Sequence, residues 1–228
     1  MKTTRILSAS GVALLSTTFL FALAPASRAA DLVYNLTLNL NSLAINPNGP
    51  FSLDLQLVQG SGNVTNKVTL SNFVFTGGSP TGTPDFTSGN ETGSLASSIV
   101  LTNTASDNEF AQAFSSGTTQ LSFKVDETSN SELVGSGTPI PDQFNVAILD
   151  NGLNNIPTTD PSGGNTLVSS AIAANQTLAS VDAYSSLSPD AGVTVNLSAT
   201  PEPRSGVLGL LAACVMAGML VMRRRRVA

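Results

Sequence analysis

Carboxylates are the side chains with which this chain could do acid–base or metal chemistry. The sequence has 228 residues and 15 acidic side chains, but it has no His and a single Cys. A zinc site of the Cys/His kind therefore cannot be built. Catalytic triads and dyads that need a histidine base are excluded for the same reason, and one Cys cannot form a disulfide within the chain.

Four of the carboxylates are candidates for a pair of the glycosidase type, namely Glu91, Glu109, Asp142 and Asp150. Such a pair needs two carboxyl groups roughly 5–10 Å apart on either side of a cleft. Because any set of this many acidic residues offers such pairs, their presence alone does not indicate catalysis. We therefore predict that the protein is not an enzyme, and we assign no catalytic residue.

Two short segments carry the oxygen-bearing side chains that calcium prefers, Asp107-Asn108-Glu109 and Asp150-Asn151-Gly152. Neither segment matches an EF-hand loop, and an Asp-Asn-Gly sequence is first of all typical of a turn. The prediction is that the protein has no metal ligand and no cofactor, with calcium binding as an alternative.

The elements that must position these residues are predicted to be β-strands, because apolar and polar residues alternate along the chain. Alternation places five residues on one face from Leu32 to Leu40, and it recurs over Phe51–Leu57 and, with a break in phase before Phe73, over Val68–Phe75. Further strands are predicted at Leu95–Thr102, Thr119–Val125, Phe144–Leu149, Thr166–Ala173 and Val193–Leu197. A short helical turn is predicted at Asn108–Ser115. Short strands separated by turn sequences favour an all-β fold, an antiparallel β-sandwich of jelly-roll type.

Polysaccharide binding is the second class of function that such a sandwich suggests. Its outward positions carry Ser, Thr and Asn, which offer hydrogen bonds. Sugar-binding modules stack exposed aromatic rings on the sugar, whereas this chain has no Trp. Most Phe residues and Tyr34 fall in phase with the apolar faces, so that Tyr184 is the aromatic residue expected at the surface.

Charge is distributed unevenly along the chain. Asp31–Pro203 holds all 15 acidic residues and only two lysines, Lys67 and Lys124, which gives that part a net charge of −13. Eight of the ten basic residues lie nearer the two ends. An acidic body does not favour nucleic-acid binding, and basic ends indicate targeting and membrane topology.

The N-terminus is typical of a secretory signal peptide. Met1–Arg5 carries two positive charges, an apolar stretch covers Ile6–Leu23, and Pro25 follows. Signal peptidase accepts small side chains at positions −3 and −1, and Ser27 and Ala29 satisfy this for cleavage after residue 29. Ala24 and Ala26 offer a second solution. An uncleaved membrane anchor is the alternative.

The C-terminus has three parts in a fixed order. Pro201, Glu202 and Pro203 come first, the apolar segment Val207–Met222 follows, and the basic cluster at the end consists of Arg223, Arg224, Arg225 and Arg226. The apolar segment is predicted to be a single transmembrane helix. Its 16 residues span about 24 Å, which is short for a bilayer core of about 30 Å. Positive charges stay in the cytoplasm, so the acidic body is predicted to lie outside.

This order of motif, apolar span and Arg cluster resembles the PEP-CTERM sorting domain over about the last 28 residues. The resemblance implies processing near Pro201-Glu202-Pro203 by exosortase, an integral membrane enzyme. The body loosely resembles a group of exported PEP-CTERM proteins of uncharacterised function, through the segments FSLDLQL, VTLSNFVF, NEFAQAF and PDQFNVAILD. That second resemblance implies no activity.

Together these features predict a signal peptide over 1–29, an exported β-sandwich over 30–199 and a sorting signal over 200–228. The predicted protein is a non-enzymatic component of the cell surface or extracellular matrix, anchored transiently in the inner membrane. Its predicted partners are the Sec translocon, signal peptidase and exosortase. A polysaccharide-binding module delivered by the same route, with exopolysaccharide as its ligand, and an unprocessed single-pass surface protein are the alternatives.

Overall fold

Two six-stranded antiparallel sheets form the body of the protein. A computed structural model describes residues 31–61, 64–128, 140–173 and 176–200. One sheet, which we call the β1 sheet, has the strand order β12-β1-β8-β3-β6-β5, and the other, the β2 sheet, has the order β11-β10-β9-β2-β7-β4. The predicted antiparallel β-sandwich is confirmed for this part of the chain.

The described residues form twelve strands and one short 3-10 helix at Leu178–Ser180, joined by turns and loops. The strands are β1 (Leu32–Asn39), β2 (Phe51–Val58), β3 (Lys67–Thr76), β4 (Phe86–Ser88), β5 (Glu91–Gly93), β6 (Ile99–Thr102), β7 (Asp107–Phe114), β8 (Gln120–Glu127), β9 (Asp142–Leu149), β10 (Val168–Ile172), β11 (Val181–Ala183) and β12 (Thr194–Ala199). Within these residues, no helix is long and apolar enough to cross a membrane.

The core lies between the sheets and is built by the alternation seen in the sequence. On β1 and β2 the predicted apolar faces are buried, since Leu36 and Leu55, for example, have no exposed surface. Side chains on a strand alternate between the two faces of the sheet. The residues between these positions therefore face outward, and those of β2 lie on the outer face of the β2 sheet.

The break in phase on β3 is a β-bulge. The register with β8 shifts between Ser71 and Val74, and Asn72 between them has a positive φ of 58°. A bulge inserts one extra residue and so moves the following side chains to the other face. This shift returns Phe73 and Phe75 to the core, where Phe73 packs on Phe123 with ring centroids 5.2 Å apart.

The helical turn predicted at Asn108–Ser115 is wrong, because this segment forms strand β7. Phe110 and Phe114 are four residues apart, a spacing that fits one helix face and one strand face equally well. On β7, Asn108 and Gln112 are buried with them and complete an inward face of period two. Polar residues at buried positions concealed the strand pattern.

Both ends of the described domain emerge at the same end of the sandwich, which we call the lower end. Asp31 precedes β1, and Thr200 follows its neighbour β12 in an antiparallel pair. The Thr200 hydroxyl donates a hydrogen bond to the Val33 carbonyl, 2.8 Å away. The predicted signal-peptide helix (1–29) and transmembrane helix (207–222) lie outside the described residues.

Candidate functional site

One row of polar side chains crosses all six strands of the β2 sheet on its outer face. Each member is the register partner of the next on the neighbouring strand. In spatial order the row is Ser88, Glu109, Gln56, Asn145, Ser169 and Asp182. Strands in a sheet are about 4.8 Å apart, so the row is about 24 Å long.

Hydrogen bonds along the row show that its members point the same way. The Gln56 amide nitrogen donates to Glu109 Oε1 at 2.7 Å. The Ser169 hydroxyl donates to Asn145 Oδ1 at 3.0 Å and accepts from the Gln143 amide at 2.6 Å. We call the accessible group the polar face, and it consists of Gln56, Val58, Asp107, Glu109, Gln143, Asn145 and Ser169, all exposed or half-buried.

A pair of carboxylates lies at the centre of this surface. The Gln56 nitrogen that bonds Glu109 also donates to Asp54 Oδ2 at 2.8 Å. Asp54 is fully buried, and among the described residues its other oxygen has no hydrogen-bond partner. Its register partners on both neighbouring strands are alanines, Ala111 and Ala147, which offer no side-chain donor.

Burial raises the pKa of both carboxyl groups, Asp54 and Glu109. Removal from water, together with the charge of Glu109, raises the pKa of Asp54 to about 8. Burial also raises the pKa of Glu109, against the Gln56 hydrogen bond, which lowers it. Two carboxylates this close do not both ionise readily, so the enclosed Asp54 holds a proton more tightly than the more accessible Glu109 does.

The half of the same outer face that runs from Asp54 toward the Phe51 end of β2, which we call the upper half, is enclosed. Ser52, Ala111 and Ala147 are buried beside Asp54, and Phe86, the register partner of Ala111, is half-buried. The Ser52 hydroxyl donates to Asp85 at 2.6 Å, which fixes the segment leading into β4. A ligand can therefore reach the lower half of the sheet, where the polar face lies, with the half-buried Phe86 of β4 at its edge.

A second buried carboxylate, Glu127, lies between the sheets and is structural. It accepts hydrogen bonds from Tyr34 at 2.6 Å, Ser170 at 2.8 Å and Gln176 at 2.9 Å. Tyr34 belongs to β1 and Ser170 to β10, so the group ties the two sheets together. Burial raises the pKa of Glu127, and burial and the neighbouring carboxylate raise the pKa of Tyr34 well above its usual value.

The structure does not bring the four predicted glycosidase carboxylates together. Asp142, at the start of β9, is buried and accepts hydrogen bonds from the Gly60 backbone at 2.6 Å and from the Asn66 and Asn103 side chains, so it fastens loops. Glu91 lies in the β1 sheet, opposite the buried Leu101. Only Glu109 lies on an accessible face, and its carboxylate neighbour there is Asp54.

Neither predicted calcium segment forms a binding loop. Asp107-Asn108-Glu109 is part of β7, and Asn108 points inward, where its amide donates to the Leu57 carbonyl. Asp150 closes a turn by accepting from the backbone nitrogens of Gly152 and Asn154, at 2.8 and 2.9 Å. Among the described residues, no three side chains of His, Cys, Asp or Glu are grouped to hold a metal ion.

The aromatic predictions hold in part. Tyr34 is buried as expected, and Tyr184 is half-buried. Partial burial and the charges of Asp182 and Asp160 raise the pKa of Tyr184. The remaining predicted site residues lie outside the described residues: Ser27 and Ala29 of the cleavage site, the motif Pro201, Glu202 and Pro203, and Arg223, Arg224, Arg225 and Arg226.

The residues of the polar face were missed at the sequence level, although their positions were visible. Gln56 and Asn145 alternate with core residues in FSLDLQL and PDQFNVAILD, which places them outward. What the sequence lacked was the strand order, which makes β2, β7 and β9 neighbours and aligns their side chains. Asp54 was also predicted to be outward and wet, whereas its small neighbours and the covering segments enclose it.

Comparison with known proteins places this chain in no family. No family model matches it, and no curated protein matches it. A solved structure titled "PbXyn10C CBM APO" is 15% identical to it, with a TM-score of 0.21, over 82% of this chain and 99% of that one. A TM-score of this size supports no argument about fold or function.

Proposed function

We propose that the protein is an exported, non-enzymatic polysaccharide-binding protein of the cell surface or extracellular matrix. The observation that carries the binding proposal is the row of hydroxyl, carboxylate and amide side chains that crosses the whole β2 sheet. Sugars present many hydroxyl groups in a line, and such groups both donate and accept hydrogen bonds. A row about 24 Å long can meet several sugar rings of one extended chain.

Two further features of the polar face support this proposal. Amides and hydroxyls act both as donors and as acceptors, so the row can bond sugar hydroxyl groups in either role. Val58 lies among them with 37% of its surface exposed, and it offers an apolar contact to the C–H side of a sugar ring. The half-buried Phe86 at the edge offers a second one.

Binding is tested with the full chain in a mild detergent, against a panel of soluble polysaccharides, by affinity electrophoresis and titration calorimetry. Asn145→Ala and Gln56→Ala should each weaken binding by about tenfold, the effect of losing a hydrogen bond of about 1.4 kcal/mol. The matched control is Asn35→Ala, which removes an exposed amide from a strand of the other sheet. Binding that Asn35→Ala weakens as much as Asn145→Ala would remove the polar face from the proposal.

The absence of catalysis is part of the proposal. A glycosidase of the common type needs two carboxyl groups that both reach the glycosidic bond. On the polar face Glu109 is accessible, but Asp54 is enclosed. Release of reducing sugar ends from any polysaccharide that binds would contradict the non-enzymatic proposal while leaving the binding proposal intact.

Delivery by a sorting signal is the remaining part of the proposal. The signal peptide, the Pro201-Glu202-Pro203 motif, the apolar span and the Arg cluster occur in the order that export, anchoring and exosortase processing require. Thr200, which is still hydrogen-bonded to β1, immediately precedes the motif. Processing there would release the sandwich with little added chain.

Mass spectrometry of the native C-terminus tests delivery. We expect the mature protein to end near the motif and to lack the Arg cluster. A mature protein that still ends in RRRRVA would instead establish the alternative, an unprocessed single-pass surface protein. The two prolines hold this segment extended, which presents Glu202 to a protease cleft. In a producing strain, Glu202→Ala should therefore impair processing.

A further inference from the structure

The charges of the sandwich are segregated between its two sheets. Within the described residues the only cationic side chains are Lys67 on β3 and Lys124 on β8, and both strands belong to the β1 sheet. Lys124 is already paired with Asp126, 3.6 Å away. The β2 sheet has no cationic side chain, while Glu109, Asp107 and Asp182 lie on its outer face.

An anionic polymer is therefore disfavoured at the polar face, because like charges repel across an interface. Among the described residues, no cationic side chain pairs with the carboxylates of this face. Glu109 receives one neutral amide hydrogen bond from Gln56. Asp54 is enclosed beneath it, and within the part of the chain that the structure describes one of its oxygens has no hydrogen-bond partner. A donor group brought by a ligand would therefore meet Glu109, the accessible member of the pair.

We propose that the polar face selects polysaccharides that carry free amino groups, with a ligand ammonium beside Glu109. This inference rests on the proposed polysaccharide binding and names its ligand class. An ammonium is a compact charge with three donors. At this position it would meet the Glu109 carboxylate together with the hydroxyl of Ser88, the residue next to Glu109 in the row. Hydrogen bonds between an ammonium and a carboxylate are about twice as strong as neutral ones.

Two glucosamine oligomers of equal length, one with free amines and one fully N-acetylated, separate this inference from the proposed function. Titration of the full chain in detergent at pH 6 should show at least about tenfold tighter binding of the free-amine oligomer, an advantage that decreases as salt increases. Alginate, a polyanion, should not bind. Equal affinity for the two oligomers, or tighter binding of alginate, would overturn the inference and leave polysaccharide binding standing.

The carboxylate is tested by Glu109→Gln, which keeps the shape and the hydrogen-bonding capacity and removes the charge. This variant should lose the preference for the free-amine oligomer and keep its weaker binding of the acetylated one. Asp182→Asn, at the other end of the row, is a second variant on the same face, and Asp126→Asn on β8 is the control in the other sheet. A preference that survives Glu109→Gln, with the unfolding midpoint unchanged, would contradict the assignment, and failure of every polysaccharide to bind would overturn both proposals.

Discussion

Glu127 is a carboxylate buried between the two sheets, and its three hydrogen bonds compensate for the loss of water. Burying a polar group costs free energy unless its partners are supplied. Here the partners come from both sheets, Tyr34 from the β1 sheet and Ser170 from the β2 sheet. Such a group acts more on the relative placement of the sheets than on their net attraction.

Removing one partner of Glu127 should therefore destabilise the fold. Tyr34→Phe deletes the hydroxyl 2.6 Å from Glu127 Oε1 and leaves that oxygen unpaired in the core. We expect the free energy of unfolding to fall by about 1–3 kcal/mol, measured by urea denaturation. Tyr184→Phe is the matched control, because Tyr184 is half-buried. Equal small effects of the two variants would contradict the structural role of Glu127.

Asp54 should make stability depend on pH. Its pKa in the folded protein is about 8, above the ordinary value of 3.8, so that the native state binds the proton more tightly than the unfolded chain does. Its contribution to stability is then complete below pH 4 and is lost as the pH rises towards 8.

The isosteric variant Asp54→Asn isolates this effect, because it cannot ionise and its amide can still contact Gln56 and Glu109. We expect it to be more stable than the wild type at pH 9 and to show a smaller loss of stability between pH 5 and pH 9, measured by denaturation at several pH values. Asp150→Asn is a carboxylate control in an exposed turn. A wild-type slope that Asp54→Asn leaves unchanged would assign the pH dependence to another group.

At the level of the strands, alternation predicted most of the long elements and failed where polar residues face inward. The buried faces of β1 and β2 were predicted residue by residue, since every inward position there is apolar or Tyr34. Strand β7 was assigned to a helical turn because Asn108 and Gln112 occupy inward positions and find partners there, Gln112 accepting from the Leu95 backbone nitrogen at 2.9 Å. The three-residue strands β4, β5 and β11 are too short for any period to show.

The break in alternation before Phe73 is caused by the bulge on β3. Asn72 has φ of 58°, a conformation that asparagine tolerates and β-branched residues avoid. Asn72→Val should lower the free energy of unfolding by about 1–2 kcal/mol, measured by thermal and urea denaturation.

Asn72→Gly is the control for this prediction, since glycine adopts positive φ without strain. We expect the glycine variant to be more stable than the valine variant, and Phe73 to keep its packing on Phe123. If valine were tolerated as well as glycine, the bulge would not depend on the backbone conformation of residue 72.

On the scale of the whole molecule, the fold class followed from the sequence, and the candidate site did not. The alternation in segments such as FSLDLQL indicates which side chains point outward, but the site depends on which outward side chains become neighbours. Gln56 and Asn145 are 89 positions apart and become cross-strand partners only because β2 lies between β7 and β9. Contacts of this kind are fixed by topology, which alternation does not encode.

The same topology relates the site to the membrane that the sorting proposal requires. Thr200 leaves the sandwich at the lower end. The polar face lies toward the same end, because Ser170, in line with Leu57 across β9, bonds Glu127, the register partner of Leu32. Only residues 201–206 separate Thr200 from the proposed span that begins at Val207, which allows at most about 20 Å. While anchored, the sandwich would therefore lie against the bilayer and hold a bound polysaccharide close to the inner membrane.

This geometry predicts how the junction between sandwich and membrane responds to an added linker. A Gly/Ser linker of about ten residues inserted between Thr200 and Pro201 lies beyond the last paired residue and is flexible, so the unfolding midpoint of the sandwich should not change. In spheroplasts of cells that lack the processing enzyme, where added protease reaches the outer side of the inner membrane, the extended junction should be cut much faster than the native one. The native junction is shielded between the folded domain and the bilayer. The cut is scored by release of the intact sandwich into the medium, with a Gly/Ser linker of equal length in the 150–155 turn as the control. Equal rates of release from the native and extended proteins would show that the sandwich does not stand against the membrane.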